Sequence, residues 1–144
     1  MSKYNDVNKH NITQLLPALK LIIKKSSFIA IDTEFTGLGN QSTKQKDLGQ
    51  RYESLSEHVS THALIAFGLS LFIQDKKLSA SFKVYNFSFS LLCQTAYKVC
   101  PSSMQFLIGN GFDFNQQFST GIPYRPGNDS VYSSFYLFEV IINF

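Results

Sequence analysis

The chain has 144 residues, with 13 Lys and Arg against 10 Asp and Glu and a formal charge of +3. This length suffices for one domain with a hydrophobic core, and the mild charge permits an anionic partner without the basic stripe that by itself predicts nucleic-acid binding. The polar N-terminus lacks the apolar core of a signal peptide and no apolar run reaches membrane-spanning length, so a soluble intracellular protein without a membrane partner is expected.

The first predicted element is a helix that follows a polar N-terminal extension, residues 1–10. Asn11 precedes the helix and Gln14 comes three residues later, which is the spacing of a capping box. Apolar residues then recur at helical period and predict one buried stripe: Ile12, Leu15, Leu16, Leu19, Ile22 and Ile23. Pro17 lies inside this run, so the helix is expected either to begin there or to kink there.

The second element is an apolar run from Phe28 that predicts a buried strand and ends at two carboxylates, Asp32 and Glu34. Residues two apart in a strand point to the same face, so these carboxylates lie side by side. Like charges this close repel unless a cation lies between them, and oxygen ligands suit Mg²⁺ or Mn²⁺. An isolated Asp-x-Glu is more often an acidic solvated turn, but apolar Phe35 and Leu38 in the glycine-containing loop favour a ligand-facing segment.

A polar, irregular loop over residues 39–52 is predicted to overhang the carboxylates. Residues 52–60 have no clear period but can form a helix. His58 and His62 are four residues apart, a spacing that can place two metal ligands on one helix face. Because no third Cys or His lies near them in the sequence, we do not expect a structural zinc site.

Two apolar runs, residues 63–73 and 82–87, predict a β-hairpin beside the first strand. A polar turn at residues 74–77 follows the first run, and strands joined this tightly pair antiparallel. Together with the preceding helix and strand, the hairpin indicates a mixed α/β sheet.

Short segments punctuated by Gly and Pro make up most of the remainder. Ser102 or Ser103 is the expected N-cap of a helix over residues 104–108, and residues 112–118 predict another short helix. The aromatic residues of these segments are core residues by default, with base stacking as the alternative for one or two of them. Residues 125–130 predict a loop.

The motifs, in their order and spacing, resemble the poly(A)-specific ribonuclease family. The resemblance covers residues 11–129, and within the family it is greatest to the branch of the target of early growth response protein, a nuclear relative. The matching segments are residues 28–38, Arg51-Tyr52, Phe67-Gly68-Leu69-Ser70, Tyr85-Asn86-Phe87, residues 102–107, Gly111-Phe112-Asp113-Phe114-Asn115 and Gly121-Ile122-Pro123-Tyr124.

This resemblance implies a ribonuclease H-like α/β exonuclease fold and 3′-to-5′ degradation of RNA, commonly of adenosine tails. In such enzymes two divalent ions, normally Mg²⁺ with Mn²⁺ as an alternative, are held by four acidic side chains, and a histidine assists. Asp32 and Glu34 match the first two of these catalytic, metal-binding carboxylates. Contact with the single-stranded 3′ end is implied for four apolar residues: Phe35, Leu38, Met104 and Phe106.

The family's remaining two aspartates and its histidine lie on segments beyond those that match. Asp113 belongs to the Gly-Phe-Asp-Phe-Asn motif and Asp129 to the loop after it, so neither replaces them. We therefore expect residues 11–130 to be the N-terminal part of the exoribonuclease domain and residues 131–144 to be a truncated or unrelated apolar ending. The chain is then a catalytically incomplete fragment, or, alternatively, a non-catalytic module that binds RNA or a partner.

Further expectations concern the exposed surface of the sheet, the partners and localisation of the protein, and its cysteines. An incomplete sheet is expected to expose an apolar edge or face where the other half would dock. The resemblance implies RNA as the partner, nuclear localisation and a homodimer. In an intracellular chain, Cys93 and Cys100 are expected to be reduced thiols.

Overall fold

The computed structural model describes residues 4–37, 47–75 and 81–126. In chain order the elements are β1 Tyr4–Val7, α1 Ile12–Lys25, β2 Phe28–Phe35, α2 Leu48–Thr61, β3 Leu64–Gln74, β4 Phe82–Cys93, α3 Pro101–Gly109, α4 Phe114–Thr120 and β5 Ile122–Tyr124. The strands follow the order β1-β4-β3-β2, and β5 also pairs with β4. In this part of the chain no helix is long and apolar enough to cross a membrane.

Several predicted features fall outside the described residues. They are Leu38, most of the loop over residues 39–47, the second half of the turn at residues 74–77, most of the loop over residues 125–130 and the ending at residues 131–144.

The predicted hairpin is confirmed as the antiparallel pair β3–β4, in which Phe67 lies opposite Phe89. β4 continues to Cys93 rather than ending at Phe87. Residues 88–93 extend the strand because small polar and apolar side chains alternate there, and Phe89 and Leu91 are fully buried.

The N-terminal extension contains a strand that was not predicted. β1 pairs in parallel with β4, with Tyr4 opposite Asn86, so the sheet is mixed as expected. Only four residues form β1, and its first three side chains are polar or exposed. Val7 alone enters the core, at 1% exposure, and a single apolar residue gives no periodicity that a sequence can reveal.

One face of the sheet carries the main hydrophobic core, and α1 packs on this face. The buried cluster is Val7, Leu19, Leu64, Phe67, Leu69, Leu71, Phe87, Phe89 and Leu91. The predicted stripe of α1 is confirmed, because Ile12, Leu15, Ile22 and Ile23 pack against this cluster around buried Leu19. Burial of these apolar side chains fixes the helix on the sheet.

The start of α1 differs from the prediction in its capping. The helix begins at Ile12, so Pro17 lies in its interior and does not start it. The Asn11 side chain makes no cap hydrogen bond. Its Nδ2 instead donates to the Asp6 carbonyl at 2.8 Å, and its Oδ1 accepts from the Asn8 amide at 2.9 Å, so the side chain fastens the turn after β1.

The expectation that β2 is a buried strand is wrong. Among the described strands β2 pairs only with β3, and Phe28 and Ile31 are 49% and 52% exposed. A continuous apolar run is typical of a strand with neighbours on both sides, whereas β2 has one neighbour here. The predicted exposed apolar edge is thereby confirmed.

The first residues of helices α2, α3 and α4 differ from those predicted from the sequence. Residues 48–52 are helical rather than loop, because Asp47 caps α2 and its Oδ1 accepts from the Gly49 amide at 2.7 Å. The N-cap of α3 is Cys100 with Pro101 in the first turn, and not Ser102 or Ser103. The second short helix, α4, begins only at residue 114.

Candidate metal centre

Asp32 and Glu34 lie on the same face of β2, opposite small residues of β3. Asp32 pairs with Gly68 and Glu34 with Ala66. Along a strand, residues two apart are separated by roughly 6–7 Å, so both carboxylates can reach one cation. Because their cross-strand neighbours have no bulky side chain, the space between the carboxylates stays open.

The electrostatics of the pair are those of two neighbouring carboxylates. Burial and, after it, the neighbouring Asp32 raise the pKa of Glu34. Thr33 donates its amide hydrogen to Asp32 Oδ1 at 3.0 Å, which orients that carboxylate. A hard divalent ion would relieve the repulsion, and its preferred ligands are carboxylate oxygens. Within residues 4–37, 47–75 and 81–126, no group of three or more His, Cys, Asp or Glu side chains is arranged to hold a metal.

The predicted substrate-contact residues occupy different environments. Phe35 is half-buried and packs against the main core, on the side of β2 opposite to Glu34. Met104 is half-buried on α3, whereas Phe106 is 63% exposed. Phe106 is therefore the aromatic ring that a ligand can reach most easily.

A buried threonine, missed in the sequence, ties β2 to α3. Thr36 is 1% exposed, and its amide donates to the Ala63 carbonyl at 2.9 Å. Its Oγ1 donates to the Lys98 carbonyl at 2.7 Å and accepts from the Ala63 amide at 3.0 Å. The Cys100 amide, at the N-cap of α3, donates to the Thr36 carbonyl at 2.8 Å. The end of the carboxylate strand is thus fixed relative to the helix that carries Met104 and Phe106.

The two histidines singled out by their spacing contact each other and the residue after Thr36. Their rings stack with centroids 4.0 Å apart, and His58 Nε2 lies 2.5 Å from the Gly37 carbonyl oxygen. Burial, followed by the charge of His58, lowers the pKa of His62, and a hydrogen bond to the His58 carbonyl opposes part of this effect. In the sequence, only the four-residue spacing of His58 and His62 singled out this pair. That spacing can place two metal ligands on one helix face, and it did not indicate a contact with the backbone.

Comparison with known proteins gives the class of the chain. Residues 7–136 match the family described as CAF1 family ribonuclease. The protein therefore belongs to the CAF1 ribonuclease family, and the predicted relation to the poly(A)-specific ribonucleases is confirmed.

Two relatives show how much of the known proteins this chain spans. Poly(A)-specific ribonuclease PARN of Danio rerio is 33% identical over an alignment of 132 residues, and this alignment covers 83% of this chain and 20% of that protein. The pre-piRNA 3′-exonuclease trimmer of Bombyx mori is 27% identical over an alignment of 144 residues, which covers 93% of this chain and 27% of that protein. The chain thus spans about a fifth to a quarter of the length of these relatives.

A solved structure confirms the fold. The S. pombe Pop2p structure, solved in a Mg²⁺- and Mn²⁺-bound form, superposes with a TM-score of 0.65 at 22% identity. The superposition covers 84% of this chain and 48% of that one. The predicted ribonuclease H-like α/β fold is therefore confirmed for this part of the domain.

Proposed function

We propose that this chain is part of a metal-dependent 3′-to-5′ exoribonuclease that acts on the single-stranded 3′ end of RNA, as a deadenylase or a 3′-end trimming enzyme. The observation that carries the proposal is the pair Asp32 and Glu34, side by side on one face of an exposed strand in a ribonuclease fold. The names of the relatives, a poly(A)-specific ribonuclease and a pre-piRNA 3′-exonuclease, support the RNA 3′ end as substrate.

Asp32 and Glu34 are the residues that would hold the divalent ion, Mg²⁺ with Mn²⁺ as a substitute. The ion would lower the pKa of the attacking water and polarise the phosphoryl oxygen. Burial and, after it, the charge of Asp32 raise the pKa of Glu34. The second cause supports this assignment, because a site that disfavours two adjacent negative charges gains from a cation. The metal-bound form of Pop2p supports the choice of ions.

Phe106 is the residue proposed to stack on a base near the 3′ end. Its ring is exposed on α3, and stacking on a planar base is favourable for any nucleobase. Phe35, Leu38 and Met104 are proposed to line the same wall. Of these, Phe35 and Met104 lie on elements joined through Thr36 and Cys100.

The described residues supply two of the four carboxylates that the family resemblance implies. We therefore propose that this chain alone holds one ion weakly, binds RNA and shortens it slowly at most. The second candidate function is a non-catalytic RNA- or partner-binding module, which the exposed Phe106 ring favours.

The test is incubation of the 144-residue chain with 5′-labelled oligoadenylate, with and without Mg²⁺. We expect binding that Mg²⁺ strengthens and that Asp32→Asn weakens, whereas the matched control Glu53→Gln, on exposed α2, leaves it unchanged. Fast stepwise shortening lost in Asp32→Asn would establish the exonuclease and overturn the proposed incompleteness. Binding that neither Mg²⁺ nor Asp32→Asn alters would favour an RNA-binding module, and no binding would contradict both the exonuclease and the RNA-binding module.

Nuclear localisation, a homodimer and the branch of the target of early growth response protein are proposed on sequence resemblance alone. Imaging of a fluorescent fusion tests the first and sedimentation tests the second. A cytoplasmic signal or a monomer at micromolar concentration would overturn the respective proposal.

A further inference from the structure

The end of the carboxylate strand is held from three directions. Thr36 binds Ala63 at the start of β3 and Cys100 at the start of α3. The third contact comes from α2, where the His58 ring reaches the carbonyl of Gly37. Gly37 comes three residues after Glu34, so the His58 contact adds to the Thr36 contacts that hold the backbone beyond the proposed metal ligand.

In the hydrogen bond between His58 and Gly37, the histidine is the donor. A backbone carbonyl can only accept, so His58 Nε2 must carry a hydrogen and donate it to the Gly37 oxygen at 2.5 Å. The His62 ring stacks on His58 at a centroid distance of 4.0 Å and keeps the imidazole in this orientation. His58 is thus a donor held in place by its neighbour.

Gly37 is also closely enclosed at its Cα by His62 and Cys100. A Cβ added at Gly37 would lie 2.6 Å from His62 Cδ2 and 3.0 Å from Cys100 Cβ. The backbone therefore approaches the histidine pair more closely than any other residue type allows. The main chain three residues after Glu34 is therefore held in one position relative to His62 and Cys100.

We propose that His58 is a positioning residue of the ribonuclease site, which acts through the Gly37 carbonyl to fix Glu34 and Phe35 for the metal ion and the 3′-terminal nucleotide. This inference rests on the proposed function. His58 touches neither the metal nor the RNA, and its effect passes through the backbone of residues 35–37.

The test compares two substitutions at one position. His58→Gln keeps an N–H donor of similar reach, whereas His58→Leu fills a similar volume without a donor. His10→Leu, at an exposed histidine outside the site, is the matched control. In RNA-free protein, His58→Leu is expected to speed hydrogen exchange at the Thr36 and Cys100 amides by roughly tenfold, the effect of losing one hydrogen bond. His58→Gln is expected to remain within about twofold of the wild type.

The second measurement is Mg²⁺-dependent oligoadenylate binding and, where shortening occurs, its KM and kcat. His58→Leu is expected to weaken binding or raise KM by roughly tenfold at unchanged folded fraction, with recovery in His58→Gln. Equal amide exchange and equal RNA affinity in His58→Leu and wild type would overturn the positioning role. A wild-type chain that binds no RNA but shows the exchange difference would refute the proposed function and leave His58 a purely structural contact.

Discussion

Asp32 lies directly opposite Gly68 in the β2–β3 pair, and a Cβ at Gly68 would stand 3.4 Å from the Asp32 Cβ. A methyl group fits at that distance, whereas a branched side chain would push against the carboxylate. The glycine thus leaves the side of the sheet that carries the two carboxylates open beside Asp32.

Gly68→Val is expected to lower Mn²⁺ affinity by roughly tenfold, because displacement of Asp32 weakens one of two carboxylate ligands. Gly68→Ala should retain affinity within about threefold, since its methyl group makes ordinary contact. Isothermal titration calorimetry with Mn²⁺ measures the affinity of both variants. Equal affinity in Gly68→Val and the wild type would show that Asp32 does not depend on this open space.

The raised pKa of Glu34 predicts how pH and Asp32 act on the apo protein. Because the folded pKa exceeds the unfolded value of 4.5, this group favours the folded state below pH 4.5, and the contribution is lost as pH rises through the folded pKa. Asp32→Asn removes the second cause of the shift, so the pKa of Glu34 is expected to fall while its burial keeps part of the increase. Carboxyl-carbon NMR titration reports this, and Glu53→Gln is the control that should leave the Glu34 curve unchanged. If Asp32→Asn left the titration curve of Glu34 unchanged, the two carboxylates would not interact.

Cys100 is expected to be the reactive thiol of the chain. Hydrogen bonds from Ser102, and then from Ser103, lower the pKa of the Cys100 thiol to about 7 at the start of α3. Cys93 is buried in the sheet. Iodoacetamide at neutral pH should therefore modify Cys100 first, and Ser102→Ala should slow the reaction by removing the largest stabilising contact. Mass spectrometry follows the two sites, and preferential alkylation of Cys93 would contradict the prediction.

Gly37 and Gly109 form a matched pair of glycines for a stability test. A Cβ at Gly37 would clash with His62 and Cys100, whereas one at Gly109 would meet nothing within 4 Å. Gly37→Ala is expected to lower the free energy of unfolding by about 1–3 kcal/mol, the usual effect of overpacking. Gly109→Ala is expected to be neutral or to raise it by up to about 1 kcal/mol, because alanine restricts the unfolded chain. Urea unfolding measures both, and equal values for the two variants would show that Gly37 is not enclosed as described.

The sequence predicted the features that depend on local periodicity. The alternation at Asp32 and Glu34 placed both carboxylates on one face, and the helical spacing around Leu19 identified the buried side of α1. The order of the motifs identified the ribonuclease family. These signals lie within a few consecutive residues, so no knowledge of tertiary contacts was needed.

The features that sequence missed depend on contacts between distant segments. Thr36 binds residues 27 and 62 positions away, and nothing in its neighbours indicates this. β1 exists because one residue, Val7, is buried beside β4. The exposure of β2 depends on which strands lie beside it, and an apolar run does not specify them.

Asp32 and Glu34 are proposed to hold a divalent cation together. Paramagnetic broadening by Mn²⁺ in two-dimensional NMR of the 144-residue chain tests this proposal independently of ribonuclease activity. We expect substoichiometric Mn²⁺ to broaden the amides of Asp32, Glu34, Ala66 and Gly68, and we expect Asp32→Asn to abolish the effect while Glu53→Gln preserves it. Broadening centred elsewhere, or unchanged in Asp32→Asn, would contradict the proposal.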